Sequence, residues 1–144
     1  MATHLTKTAT QTRALGKQLA KQLTGGQILG LKGDLGSGKT TFVKGLAKGL
    51  NIKNTITSPT FVLFKIYPIK HRTIKRLVHV DCYRVSGKEL SLVGLDEYLN
   101  DPQTIVAIEW PNKIKNQPNW LTIKFTAVKN SNHRKIQLPK KLAI

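Results

Sequence analysis

The sequence predicts an α/β fold in which a mixed parallel and antiparallel sheet is flanked by helices. Three observations carry that prediction. An apolar strand, Gln27-Ile28-Leu29-Gly30-Leu31, runs into a glycine-rich loop. A helical pattern over residues 41–50 follows, with Phe42, Val43, Leu46, Ala47 and Leu50 on one face. Two further apolar runs, residues 73–80 and 104–108, each end against a carboxylate, Asp81 and Glu109. Two candidate strand pairs around short turns, within residues 61–80 and 121–138, supply the antiparallel part.

The elements follow in order. Residues 8–23 read as a helix, because Leu15, Leu19 and Leu23 recur every four residues and Gly25-Gly26 stop the pattern. After the strand at 27–31 and the helix at 41–50, residues 51–57 form a polar connection. Ser58-Pro59-Thr60 is a turn into the β-branched and aromatic run 61–67. Residues 68–72 turn the chain and 73–80 return as a strand, which makes a hairpin. Ser86-Gly87 breaks the pattern, and 88–93 and 96–99 are short helix candidates joined at Gly94. The buried strand 104–108 leads into a Pro/Asn-rich loop that ends at Asn119. Residues 121–128 and 134–138 then pair around Asn130-Ser131-Asn132. No repeat, low-complexity stretch or long linker divides the chain, so residues 1–144 are read as one domain.

Composition narrows the function classes. Apolar residues make up 40% of the 144, enough for a core. No apolar run approaches the ~18 residues that span a bilayer. The opening Met1-Ala2-Thr3-His4-Leu5-Thr6-Lys7 lacks the apolar stretch of a signal peptide. The single cysteine, Cys82, leaves no internal disulfide and no multi-cysteine zinc site, and a reducing cytoplasm is expected. There are 24 Lys+Arg against 7 Asp+Glu, a formal net charge of +17. Such a surface attracts polyanions, although a uniformly basic source proteome would explain the composition equally well.

The loop itself names a ligand. Gly33-Asp34-Leu35-Gly36-Ser37-Gly38-Lys39-Thr40 matches the phosphate-loop pattern G-x-x-x-x-G-K-[ST] at every fixed position. Its glycines let backbone N–H groups turn toward phosphate oxygens, Lys39 adds a positive charge, and the Thr40 hydroxyl can ligate Mg²⁺. A helix beginning at the loop aims its positive dipole end at the same place. Asp34 is an additional acid inside the loop.

Carboxylates are scarce: Asp34, Asp81, Glu89, Asp96, Glu97, Asp101 and Glu109 are all there are. Any Mg²⁺ ligand or water-orienting acid comes from this set. Ligands of open α/β sheets bind beyond the carboxyl ends of the strands. Asp81 and Glu109 therefore reach the phosphate site if their strands run parallel to the loop strand. One would then hold metal and the other orient water, with the assignment between them open at this point. The competing reading of each is a strand-end acid facing solvent or capping a helix. Arg84 can pair with Asp81 or reach a phosphate, His79 is by default a structural histidine, and Trp110 is read as facing away from Glu109. Asn112-Lys113-Ile114-Lys115 differs from the guanine-reading N-K-x-D at its last position, which favours ATP over GTP.

Four segments taken together resemble the TsaE family, formerly YjeE, over roughly residues 8–138. They are the loop through Thr41, Ser58-Pro59-Thr60-Phe61, His79-Val80-Asp81-Cys82-Tyr83-Arg84 and Ile108-Glu109-Trp110-Pro111, with Gly94-Leu95-Asp96-Glu97-Tyr98-Leu99 similar as well. The resemblance implies a P-loop NTPase fold and an ATP- and Mg²⁺-dependent ATPase required for threonylcarbamoyladenosine in tRNA. It implies action with the TsaD and TsaB proteins, where TsaD performs the transfer and ATP hydrolysis resets the complex. By residue, it implies nucleotide contacts from Gly33, Asp34, Leu35, Gly36, Ser37, Gly38, Lys39, Thr40 and Thr41. Thr10, Thr12, Thr60 and Arg134 are implied to lie near the nucleotide as well. Thr40 and Glu109 would complete the Mg²⁺ site, and Asp81 with Lys39 would be catalytic. The chain departs from the family in lacking an acid in Thr8-Ala9-Thr10-Gln11-Thr12 and in its high positive charge.

Two rivals stand beside this reading. A small-molecule kinase shares the loop but ordinarily adds a lid or acceptor domain, for which the chain has no spare segment. A basic RNA-binding module would use Lys65, Lys70, His71, Arg72, Lys75 and Arg76 around the hairpin and Lys140-Lys141 at the tail. A blend, in which the hairpin touches tRNA inside a complex, is a third option beside a simply solvated loop.

Overall fold

The strand that feeds the phosphate loop lies at the middle of a seven-stranded sheet. The computed structural model describes residues 1–57, 64–82, 88–89, 94–109, 119–142 and 144. Along these the chain runs β1 (Ala2–Thr6), α1 (Ala9–Ala20), β2 (Ile28–Lys32), α2 (Lys39–Gly49), β3 (Phe64–Pro68) and β4 (Arg76–Asp81). It continues through α3 (Leu95–Leu99), β5 (Thr104–Glu109), β6 (Leu121–Ala127), β7 (Arg134–Leu138) and a 3-10 turn at Lys140–Leu142. The spatial order of the strands is β1-β7-β6-β2-β5-β4-β3.

The central four strands are parallel. β2 pairs with β5 on one side and β6 on the other, and β5 pairs with β4. The two flanks are antiparallel, β3 on β4 and β6-β7-β1. The sheet is therefore mixed as the sequence predicts, parallel beside the loop and antiparallel away from it.

Helices α1 and α2 lie together on one face, over Leu29, Leu31, Ile123, Phe125 and Ile136. Phe42 of α2 meets Phe125 edge-on, with ring centroids 5.3 Å apart. The two helices approach until backbone touches backbone. A Cβ on Gly45 would stand 1.9 Å from the Arg13 carbonyl oxygen, and one on Gly16 would stand 2.3 Å from that of Phe42. On the other face, Leu95 of α3 and Trp120 pack over Ile28, Val78, Val80, Val106 and Ile108.

Several boundaries differ from the sequence reading. α1 stops at Ala20, but Leu23 stays buried in a following turn, which is why its periodicity extends the pattern to 23. α2 begins at Lys39, two residues early, because the helix opens inside the loop motif. β4 begins at Arg76 instead of residue 73. The His71 ring Nδ1 accepts from the Thr73 and Ile74 amides at 3.1 and 3.3 Å, and that turn delays the strand. β1 and the terminal 3-10 turn have no counterpart in the sequence reading. The expected 61–67 strand falls partly, and the 88–93 helix largely, outside the described residues. Among the described residues no helix is long and apolar enough to cross a membrane.

At the end of the sheet where β5 begins, Asp101 accepts from the Gln103 amide at 3.0 Å and from Thr104 Oγ1 at 2.7 Å, and pairs with Arg76. The amide bond, then the hydroxyl, and to a lesser degree the guanidinium, hold its carboxyl below the ordinary aspartate range. A depressed carboxyl pKa stabilises the fold above the unfolded value and loses that contribution as pH falls through the folded one. Asp101→Asn should therefore differ from the native chain in stability at neutral pH, and the difference should vanish in strong acid. Urea melts at stepped pH would check this.

Candidate phosphate-binding site

The loop between β2 and α2 curls around its own backbone. The Ser37 amide donates to the Asp34 carbonyl at 3.1 Å, and the Phe42 amide donates to that of Gly38 at 2.9 Å. Gly38 caps α2 with φ of 103°, a left-handed conformation that side-chain-bearing residues adopt only under strain. Gly33 is confined by approach instead: a Cβ there would stand 2.6 Å from the Phe125 carbonyl and 2.7 Å from Ser37 Oγ. The amides at the start of α2 are consequently left facing a cleft of about 580 Å³.

Lys39 is only 4% exposed. Its Nζ folds back along the loop and donates to the Gly33 and Asp34 carbonyls at 2.5 and 2.9 Å. Burial lowers its pKa below the usual lysine value, opposed by the nearby Glu109, Asp81 and Asp34 carboxylates. The amine thus has little water around it and three carboxylates nearby.

Both strand-end acids arrive at the cleft, since β4 and β5 run parallel to β2. Asp81 and Glu109 are register partners on neighbouring strands, and both line the cleft. Glu109 is buried, and the Thr40 hydroxyl lies 3.0 and 3.1 Å from its two oxygens. His79, fully buried, donates from Nε2 to Glu109 Oε2 at 2.5 Å. Its Nδ1 finds no hydrogen-bond partner among the described residues.

The far wall comes from the two ends of the chain. β1 is zipped to β7 with Thr6 opposite Arg134, which brings the start of α1 beside the final hairpin. Thr8 caps α1 by accepting from the Gln11 amide at 3.1 Å, and buried Thr12 shares a 2.7 Å hydrogen bond with Thr6. Thr12 and Arg134 both line the cleft, and both sit close to Gly38.

Of the residues singled out from sequence, Leu35, Gly36, Gly38, Lys39, Thr40, Thr41, Asp81, Glu109, Thr12 and Arg134 share this cleft. Gly33, Asp34 and Ser37 are part of the loop but not of the cleft lining, and the Ser37 hydroxyl is buried without a hydrogen-bond partner among the described residues. Thr10 is exposed on α1, where its hydroxyl accepts from Arg13 at 3.1 Å, and it does not line the cleft. Thr60, Arg84, Trp110 and the Asn112–Lys115 stretch lie outside the described residues. Sequence reasoning missed Lys7 and Asn132, which line the cleft, and the His79–Glu109 bond. The one available signal for that bond was His79 standing two residues before Asp81, on the same side of a strand.

A sequence model described as "Threonylcarbamoyl adenosine biosynthesis protein TsaE" matches residues 6–136, from the end of β1 into β7. The chain belongs to the TsaE family. Relatives called tRNA threonylcarbamoyladenosine biosynthesis protein TsaE include that of Streptomyces coelicolor, 43% identical over 68% of this chain and 66% of its own. That of Bacillus subtilis is 41% identical over 74% of this chain and 65% of its own. The matched stretch thus spans just under two thirds of the length of these TsaE relatives. A crystal structure of Bacillus subtilis YdiB superimposes with a TM-score of 0.72 at 30% identity, covering 94% of this chain and 82% of that one. TsaE membership and this likeness agree on a single α/β fold of the P-loop kind.

Proposed function

We propose that the chain hydrolyses Mg·ATP in this cleft and, with the TsaD and TsaB proteins, supports formation of threonylcarbamoyladenosine in tRNA. One observation carries the reading: Lys39, Thr40, Asp81 and Glu109, from three separate elements, converge where α2 begins. Loop amides and Lys39 bind the β- and γ-phosphates. Asp81 orients the attacking water and takes its proton. Water oxygen bonds to the γ-phosphorus as the bond to the ADP oxygen breaks, releasing ADP and phosphate. Thr12 and Arg134 form the wall beside the nucleotide. Thr60 would be a γ-phosphate contact. Adenine is the favoured base because Lys115 stands where guanine readers carry an acid.

The donor set fits Mg²⁺. Thr40 Oγ1 and the Glu109 carboxylate are hard oxygen ligands side by side, and Mg²⁺ characteristically takes one or two such groups plus substrate phosphates. Among the described residues no cluster of three or more His, Cys, Asp or Glu offers an alternative cage. When bound, the ion would neutralise charge on the phosphate oxygens. His79, donating to one Glu109 oxygen, fixes the carboxylate's orientation.

Glu109→Gln should raise the Mg²⁺ concentration needed for half-maximal nucleotide binding by at least about tenfold, read with a fluorescent ADP analogue. The broader reading is tested by reconstitution. With TsaD, TsaB, ATP and unmodified tRNA, sustained modification should depend on adding this chain. Equal modification without it would remove the proposed role.

A further inference from the structure

Part of one face of the sheet has no helix over it among the described residues. α1 and α2 cover one face, and α3 with Trp120 covers the other face only across β2, β5 and β4. On the β6-β7-β1 half of that second face the register assembles a cluster of lysines. Lys32 of β2 is the direct partner of Lys124 of β6. Lys124 pairs with Gln137, and Lys135, two residues earlier on β7, pairs with Thr126. Side chains alternate along a strand, so Lys32, Lys124, Thr126, Lys135 and Gln137 all stand on this face. The three lysines are exposed, and their side chains make no hydrogen bond or ion pair with any other described residue.

Like charges directly across a strand pair oppose folding, and neighbouring sequence offers no relief: residues 1–33 and 110–144 contain no acid. The patch holds one exposed large apolar residue, Leu5, opposite Lys135, and no described aromatic or arginine anchor. Protein interfaces are poor in lysine and rest on such anchors, whereas lysine ammonium groups beside hydroxyls and amides suit phosphodiester oxygens. We propose that the Lys32–Lys124–Lys135 face binds the phosphate backbone of RNA. The inference rests on the tRNA-modification reading for its biological sense, but not for its test.

The test is fluorescence anisotropy with a labelled tRNA transcript across a salt series, using the full chain. The combined Lys32→Gln, Lys124→Gln, Lys135→Gln variant should bind at least tenfold more weakly near 0.1 M salt. The slope of log affinity against log salt should fall by about 2–3, since each phosphate contact contributes about 0.7–0.9. The control carries the same charge change at the opposite end of the sheet: Lys70→Gln, Arg72→Gln, Lys75→Gln in the β3–β4 turn. It should retain most of the affinity. Equal losses in the two variants, loss in the control alone, or no RNA binding by the native chain would overturn the proposal. So would unchanged RNA binding by the variant with weakened binding to phosphatidylserine vesicles, which would mark a lipid surface. Melting curves and nucleotide binding are read on the same samples. A variant that keeps its nucleotide and loses only RNA separates failure of this inference from failure of the ATPase reading.

Discussion

Lys39→Ala is expected to lower ATP turnover by at least about a hundredfold while the protein stays folded. Preorganised donors at developing phosphate charge act in a site with little water, and removing one such group typically costs about 10²–10³ in rate. Lys39 is of that kind. It is buried, its pKa is lowered by burial, and it is already turned onto the loop it serves. Stability should behave differently from activity. A cation held in a desolvated place is a cost to the fold, so its removal need not destabilise. The sign can be worked out. A lowered lysine pKa means that the native state disfavours the charged form. That penalty is present in full below the folded value and is relieved as pH rises from there toward 10.5. Steady-state turnover paired with urea melts would decide the matter: activity near native levels, or a chain that fails to fold, contradicts the expectation.

Gly45→Ala should be the most damaging conservative change in the scaffold. By propensity alone alanine stabilises a helix interior over glycine by about 1 kcal/mol. Here the new methyl would stand 1.9 Å from the Arg13 carbonyl oxygen and 2.7 Å from Arg13 Cα, both backbone atoms that no side-chain rotation can move. The helices must separate, and overpacking of that kind costs about 1–3 kcal/mol or more. We expect a net loss of about 2 kcal/mol after the propensity gain is subtracted, a sizeable share of the roughly 5–15 kcal/mol that holds a domain together. Lys48→Ala, at an exposed position of the same helix, should be close to neutral. Because α2 begins at Lys39, its displacement should also weaken nucleotide binding, so calorimetric melting and a nucleotide titration on the same sample would both respond.

How much of this was legible from residues depends on the range of the interaction. The strand-loop-helix unit was readable because its signals are local: apolar residues at β and helical periods around fixed glycines. The same holds for β6 and β7, where alternation and an Asn-rich turn sit side by side. β1 was not readable. Ala2-Thr3-His4-Leu5-Thr6 is short and mostly polar, and it is a strand only because β7 offers an unpaired edge far away in sequence. The acids show both sides. Their positions at strand ends were evident, but the His79–Glu109 bond depends on the parallel register of β4 on β5, which no local pattern specifies. Thr12 and Thr10 make the same point at one helix. Both stand in a threonine-rich segment, and only the helical rotation turns Thr12 inward while Thr10 faces solvent.

The pairing of β1 with β7 has a consequence for biosynthesis. Lys7, Thr8 and Thr12 are translated long before Asn132 and Arg134, and the cleft takes its wall from both groups. A nascent polypeptide on the ribosome has no finished ligand pocket until the β6–β7 hairpin emerges. Ligand capture is thereby postponed until β7 has been made and paired with β1.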